Sequence, residues 1–100
     1  EPFGPLVPIL TFKKFDEVIE RANNNELGLA SYIYTNDMKK ANKASELMES
    51  GTVAVNTPVV AVAEAPFGGI KQTGYGREGG SMAIKDYLNI KYTHFGISYE

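Results

Sequence analysis

An α/β layer with parallel strands is the fold class this sequence predicts, and three observations predict it. Apolar residues change period twice between extended and helical spacing. Both helical stretches end on residues that favour left-handed geometry. Each is then followed within a few residues by a short run of β-branched or aromatic residues. Two successive strand, helix, strand alternations call for right-handed crossovers and a sheet covered on both faces. The stretch supplies only three core strands, so the sheet is expected to be completed by neighbours outside it.

The chain opens with Glu1-Pro2-Phe3-Gly4-Pro5, where two prolines impose an extended, turn-rich backbone. Leu6 to Phe12 reads as a buried strand. From Lys13 to Asn25 the period changes, with Phe15, Val18, Ile19 and Ala22 falling at i, i+3, i+4 and i+7, and a helix is predicted over Asp16 to Asn23. Asn23-Asn24-Asn25 ends it, because asparagine tolerates left-handed geometry.

Within Leu27 to Tyr34, the residues Leu29 to Tyr34 predict a second strand after Gly28. Thr35 or Asn36 is available to cap the next helix, predicted over Asp37 to Met48. There Met38, Ala41, Ala44, Leu47 and Met48 keep helical spacing, and Lys39, Lys40, Lys43 and Glu46 fill a solvated face. Gly51 stops this helix, and Thr52 to Val55 predicts a third strand.

Asn56 to Pro66 is a long apolar connection, and connections of that length are usually functional or disordered. After it, Pro66 to Gly80 holds six of the chain's ten glycines. Such density costs backbone entropy and signals positive φ angles or a closely approached backbone. Phe67, Tyr75, Arg77 and Glu78 mark the segment as a shaped loop rather than a linker. Gly74-Tyr75-Gly76-Arg77-Glu78-Gly79 comes near a dinucleotide fingerprint, but no clean strand feeds it and no acidic residue closes a βαβ unit, so that reading is rejected. Ser81 to Leu88 predicts a short helix. Asn89 to Ile97 alternates Ile90, Tyr92 and His94 against Lys91, Thr93 and Phe95, which predicts a terminal strand in need of a partner.

One hundred residues, 43% hydrophobic and 22% charged, suit a single globular unit with a modest core. A net charge of −2 with dispersed lysines and arginines offers no basic stripe for nucleic acid and no hold on an anionic membrane. The absence of cysteine excludes disulfides, thiolate metal sites and a cysteine nucleophile within these residues. His94 has no ligand-type residue at metal spacing, so no metal is expected, and packing is its preferred role. Lys71 is read as a surface lysine in preference to an anion contact. Arg77 is read as a brace that holds the glycine loop to carboxylates or carbonyls.

Glu1-Pro2-Phe3-Gly4-Pro5 together with Pro66-Phe67-Gly68-Gly69-Ile70-Lys71 and Gly74-Tyr75-Gly76-Arg77-Glu78 resembles the aldehyde dehydrogenase superfamily, and the likeness covers nearly the whole chain. Within it, the sequence looks most like the semialdehyde branch that includes succinate-semialdehyde dehydrogenase. The resemblance implies the C-terminal part of the catalytic domain over 1–88 and an oligomerisation strand and tail over 89–100. Starting in mid-motif, the chain is expected to be part of a longer polypeptide. The implied activity is oxidation of an aldehyde to a carboxylic acid with NAD or NADP, by way of a thiohemiacetal on a cysteine and a glutamate base. Both lie upstream, so the chain alone is expected to be inert.

By the same resemblance, Glu1 is expected to accept the ribose hydroxyls and Phe3 to pack at the nicotinamide end of the cofactor. Phe67 is expected to line the aldehyde tunnel. Glu78 matches a glutamate of the proton route, with an ordinary ion-pair role as the other reading. Ala61 belongs to the substrate-lining loop. Where succinate enzymes commonly offer a serine, this loop reads Val59-Val60-Ala61-Val62-Ala63, so a distal carboxylate must be bound by upstream residues or the aldehyde is less polar. The implied partners are an aldehyde, the rest of the parent chain and further copies in a dimer or tetramer. The implied setting is cytoplasmic, with a mitochondrial one left open. Two competing readings are a stand-alone phosphate- or nucleotide-binding module, cradling an anion on the glycine loop and Lys71, and a non-catalytic assembly element.

Overall fold

A computed structural model describes residues 2–98. The elements are α1 (Phe15–Asn23), β1 (Leu27–Gly28), β2 (Ala30–Ile33), α2 (Met38–Leu47), β3 (Thr52–Val55), β4 (Ile70–Lys71) and a 3-10 turn (Ala83–Tyr87). β2 and β3 pair in parallel, Ala30 opposite Thr52 through Ile33 opposite Val55, with α2 as the connection between them. This is the α/β unit the periodicity predicts. The crossover exists because Ala41 and Ala44, one turn apart on α2, present small side chains to the strands and bury fully, as does Ala54 of β3.

Local chemistry fixes the ends of both helices. The Glu17 carboxylate reaches back to the Lys14 N–H at 3.4 Å and pairs with Arg21, whose guanidinium also donates to Thr11 O at 3.0 Å. On α2 the cap is Asp37, where Thr35 or Asn36 was the expectation. Its Oδ1 accepts the N–H groups of Lys39 at 3.0 Å and Lys40 at 3.2 Å. The Lys40 N–H, foremost among its partners, holds the Asp37 carboxyl below its ordinary value. Thr35 instead accepts the Asp37 N–H.

Two predicted strands need correction. The strand expected over Leu29 to Tyr34 is present as β2, while the extended stretch before it breaks at Leu29, so that β1 pairs antiparallel with β4 and β2 turns to β3. The two ladders remain connected, because Gly28 O accepts the Gly51 N–H at 3.0 Å and Leu29 O accepts the Thr52 N–H at 3.1 Å. Leu6 to Phe12 forms no strand, and neither does Asn89 to Ile97. Both carry strand-like residues whose side chains stand in solvent, Val7 at 82% and Ile90 at 102% exposure among them. The reason is the same in each case. A strand is defined by the backbone it pairs with, and no backbone among the described residues pairs with either segment.

The core is smaller than the modest one that length and composition suit. The radius of gyration is 20.0 Å, against roughly 13 Å for a compact domain of this length. Ala41, Ala44 and Ala54 are the only buried hydrophobic residues among those described. Three alanine side chains cannot offset the ordering of a hundred residues. No described helix is long and apolar enough to cross a membrane.

Candidate functional site

The glycine segment folds as two limbs. Phe67 and Glu78 face each other across an antiparallel bridge, each N–H donating to the other's carbonyl at 2.7 Å. Below the bridge, the Gly80 N–H donates to Ala63 O at 2.8 Å, so the end of the Asn56 to Pro66 connection and the end of the glycine loop run side by side. Positive φ at Gly79 (70°) and Gly80 (63°) makes this return path open to glycine, and a Cβ on Gly79 would meet Ala65 O at 2.7 Å.

Arg77 braces the loop through carbonyls. Its Nη1 donates to Gly69 O at 2.9 Å and to Gly76 O at 2.7 Å, which ties the two limbs together above the bridge. Its own N–H donates to Asp86 Oδ2 at 2.9 Å. A concave surface of about 340 Å³ is lined here by Phe67, Gly68, Tyr75, Arg77, Glu78 and Asp86, with further loop residues around them.

Phe67 and Glu78 are therefore brought together by the fold. Phe67 is half-buried, and Glu78 is exposed and has no ion-pair partner among the described residues. Ala61 lies exposed on the connection that enters the bridge. Phe3 stands apart at 98% exposure. Glu1 lies outside the described residues. The ring at position 3 stands in solvent, apart from the concave surface lined by Phe67 and Glu78.

Lys71 is exposed, as the surface reading has it, but its ammonium is engaged within the chain. Its Nζ donates to Asn23 O at 2.8 Å and Asn25 O at 3.1 Å, where α1 ends, and it pairs with the Glu49 carboxylate. Asn23 closes the same knot: its Nδ2 donates to Leu47 O at 2.8 Å and its Oδ1 accepts the Glu49 N–H at 2.9 Å. The triple asparagine thus stops α1 and also binds the end of α2 to it. Asn56 makes a comparable stitch, its amide group bonding both the N–H and the carbonyl of Thr35 at 2.9 Å. Its own φ of 55° is the left-handed geometry that asparagine tolerates.

Several of the loop's N–H groups are committed as well. Those of Gln72, Thr73, Gly74, Arg77, Glu78 and Gly80 all donate within the chain. An anion nest needs such groups free and convergent, and a lysine not already engaged. Lys71, the lysine that the phosphate-binding reading needs, is engaged with Asn23 O, Asn25 O and Glu49. Tyr92 OH lies 3.2 Å from His94 Nδ1, and no cluster of metal-type ligands occurs among the described residues.

The match to known proteins is extensive along the chain. The model of the aldehyde dehydrogenase family matches residues 1–93. A 3-sulfolactaldehyde dehydrogenase of Pseudomonas putida is 52% identical over 96% of this chain and 20% of its own length. The succinate-semialdehyde dehydrogenase GabD of Escherichia coli, named for NADP(+), is 46% identical over 97% of the chain and 20% of its own. Among solved structures, succinate-semialdehyde dehydrogenase from Burkholderia pseudomallei superposes with a TM-score of 0.86 at 44% identity, covering 91% of this chain and 19% of that one. The chain spans about a fifth of the length of these relatives. The parallel β2–β3 pair with its α2 crossover is a part of their catalytic fold. This chain belongs to the aldehyde dehydrogenase family.

Proposed function

We propose that the chain is the C-terminal portion, residues 1–88 with a tail over 89–100, of an enzyme that oxidises an aldehyde to a carboxylic acid with NAD or NADP. The observation that carries this reading is the family match over residues 1–93, joined to a loop in which the motif residues Phe67 and Glu78 face each other across one bridge. The chain contains no cysteine, so it supplies no thiol nucleophile, and on its own it is inert. When bound, the nicotinamide accepts the hydride. Glu1 and Phe3 hold its ribose and ring end, Phe67 lines the aldehyde path, and Glu78, free of ion pairing, lies on the proton route.

The tail is the assembly element. Ile90, Tyr92, Phe95 and Ile97 stand in solvent here, and pairing with a strand of the parent or a second copy would cover them and satisfy their backbone. The enzyme then works as a dimer or tetramer in the cytoplasm or in mitochondria.

The relatives' names point to aldehydes with an anionic far end, a sulfonate or a carboxylate. The run Val59 to Ala63 has neither a cation nor a hydroxyl with which to hold one. The entrance formed by Asn56 to Phe67 is therefore mainly apolar, and the anionic end is held by residues beyond this chain. In the full-length protein, Ala61→Ser is expected to raise kcat/KM for an ω-carboxylated semialdehyde relative to a plain aldehyde of matched length. A hydrogen bond to a charged oxygen contributes about 1.5 to 3 kcal/mol, roughly tenfold or more in that ratio. An unchanged ratio would place Ala61 away from the substrate's far end.

A further inference from the structure

The second limb of the glycine loop has little regular structure to hold it. Gly74 and Gly76 both sit at positive φ, 120° and 86°, and no helix or sheet spans them. What fixes the turn is a carboxylate arriving from elsewhere. Asp86, on the 3-10 turn, accepts the Arg77 N–H at 2.9 Å, and it is the only carboxylate among the described residues bonded to this limb's backbone. Its Oδ2 also fills the space beside Gly76, where an added Cβ would come within 2.9 Å of it. The Arg77 guanidinium does not compete for this carboxylate, because its Nη1 is turned back onto Gly69 O and Gly76 O. The next residue, Glu78, makes the bridge to Phe67.

We infer that Asp86 is a positioning residue for the aldehyde path: by gripping the Arg77 N–H it sets the turn that holds Glu78 opposite Phe67, and so aims the Phe67 ring. This rests on the proposed placement of Phe67 beside the aldehyde. An acceptor is what the position requires, and a negative charge is not, since the bonded partner is a neutral backbone N–H. Asparagine offers a carbonyl oxygen in the same place. Alanine offers nothing, and a loop shifted by an ångström near reacting atoms loses rate steeply.

The test compares Asp86→Asn, Asp86→Ala and Phe67→Ala in the full-length enzyme, reading KM for aldehyde, KM for NAD(P) and kcat separately. Asp86→Ala is expected to raise KM for aldehyde on the order of tenfold with KM for cofactor unchanged, and Asp86→Asn to restore most of the loss. If the alanine variant does not fold, Asp86→Ser, whose hydroxyl falls short of the N–H, takes its place. Asp86→Ala with wild-type KM for aldehyde overturns the inference, and so does Asp86→Asn that fails as badly as alanine. Should Phe67→Ala raise KM for aldehyde while Asp86→Ala does not, the inference fails and the placement of Phe67 stands. Should neither variant move it, the placement of Phe67 fails first.

Discussion

Gly51→Ala is expected to destabilise the full-length protein by about 3 kcal/mol, the upper end of what overpacking usually costs. Gly51 lies where β3 begins, under the first glycines of the loop. A Cβ there would collide with Gly68 O and stand 2.9 Å from Gly69 Cα. Every atom it meets is backbone, so no side chain can rotate away to make room. The strand entrance or the loop must move instead, and either motion strains the Gly51 N–H bond to Gly28 O. The denaturant midpoint of the purified variant measures the effect. A midpoint equal to wild type would mean that the loop does not lie against β3 as described.

Lys71→Met is expected to cost a similar amount, about 3 kcal/mol, because it removes a charged donor from two carbonyls and the partner of Glu49. The ion pair itself adds little to that figure, since the Glu49 side chain is 53% exposed. The two carbonyls matter more. They lie where α1 ends, and with Lys71 gone Asn23 O keeps only the Asn25 N–H while Asn25 O is left to water. A second substitution separates the brace from the backbone strain. Lys71 sits at a φ of 56°, so Lys71→Gly relieves about 1 kcal/mol of left-handed cost while losing the same bonds. Glycine should therefore fall between wild type and methionine in thermal stability. If methionine matched wild type, the knot between α1, α2 and β4 would hold nothing together.

The contrast between these two residues shows what a sequence discloses. Gly51 is legible as a glycine after a helix, and the stop is real, but the stronger constraint is the backbone of Gly68 lying against it, fifteen or more residues later in the chain. α1, α2 and β3 were legible because their signals are local: an apolar period, a terminator and a β-branched run within a dozen residues. Leu6 to Phe12 and Asn89 to Ile97 misled for the complementary reason. Alternation reveals that a segment has a face to bury, but not which backbone it pairs with. Leu29 shows a finer failure, since nothing in Leu27 to Tyr34 marks the residue at which the strand changes partner.

In the site, Phe67 and Glu78 were singled out by the family resemblance alone, and the bridge shows that these two residues, eleven apart, lie together. Lys71, Asp86, Asn23 and Asn56 were not. Each bonds backbone groups distant in the chain, and a lysine, an aspartate or an asparagine on a polar stretch looks the same whether or not such a partner waits. Asparagine's tolerance of positive φ, expected to stop the helix at Asn23 to Asn25, is not used there, where Asn24 has a φ of −74°, but at Asn56.

The proposal that these residues complete a catalytic unit, with cysteine, base and cofactor fold supplied by the rest of a longer chain, draws on the family match over residues 1–93 and on the chain's span of about a fifth of its relatives. Reduction of NAD(P) driven by a semialdehyde tests it most directly, assayed on the full reading frame's product and on the 100-residue chain alone. Turnover by the full-length product, abolished by thiol alkylation and absent from the isolated chain, is the expected result; turnover by the isolated chain, or none by the full-length product with any aldehyde offered, would contradict it.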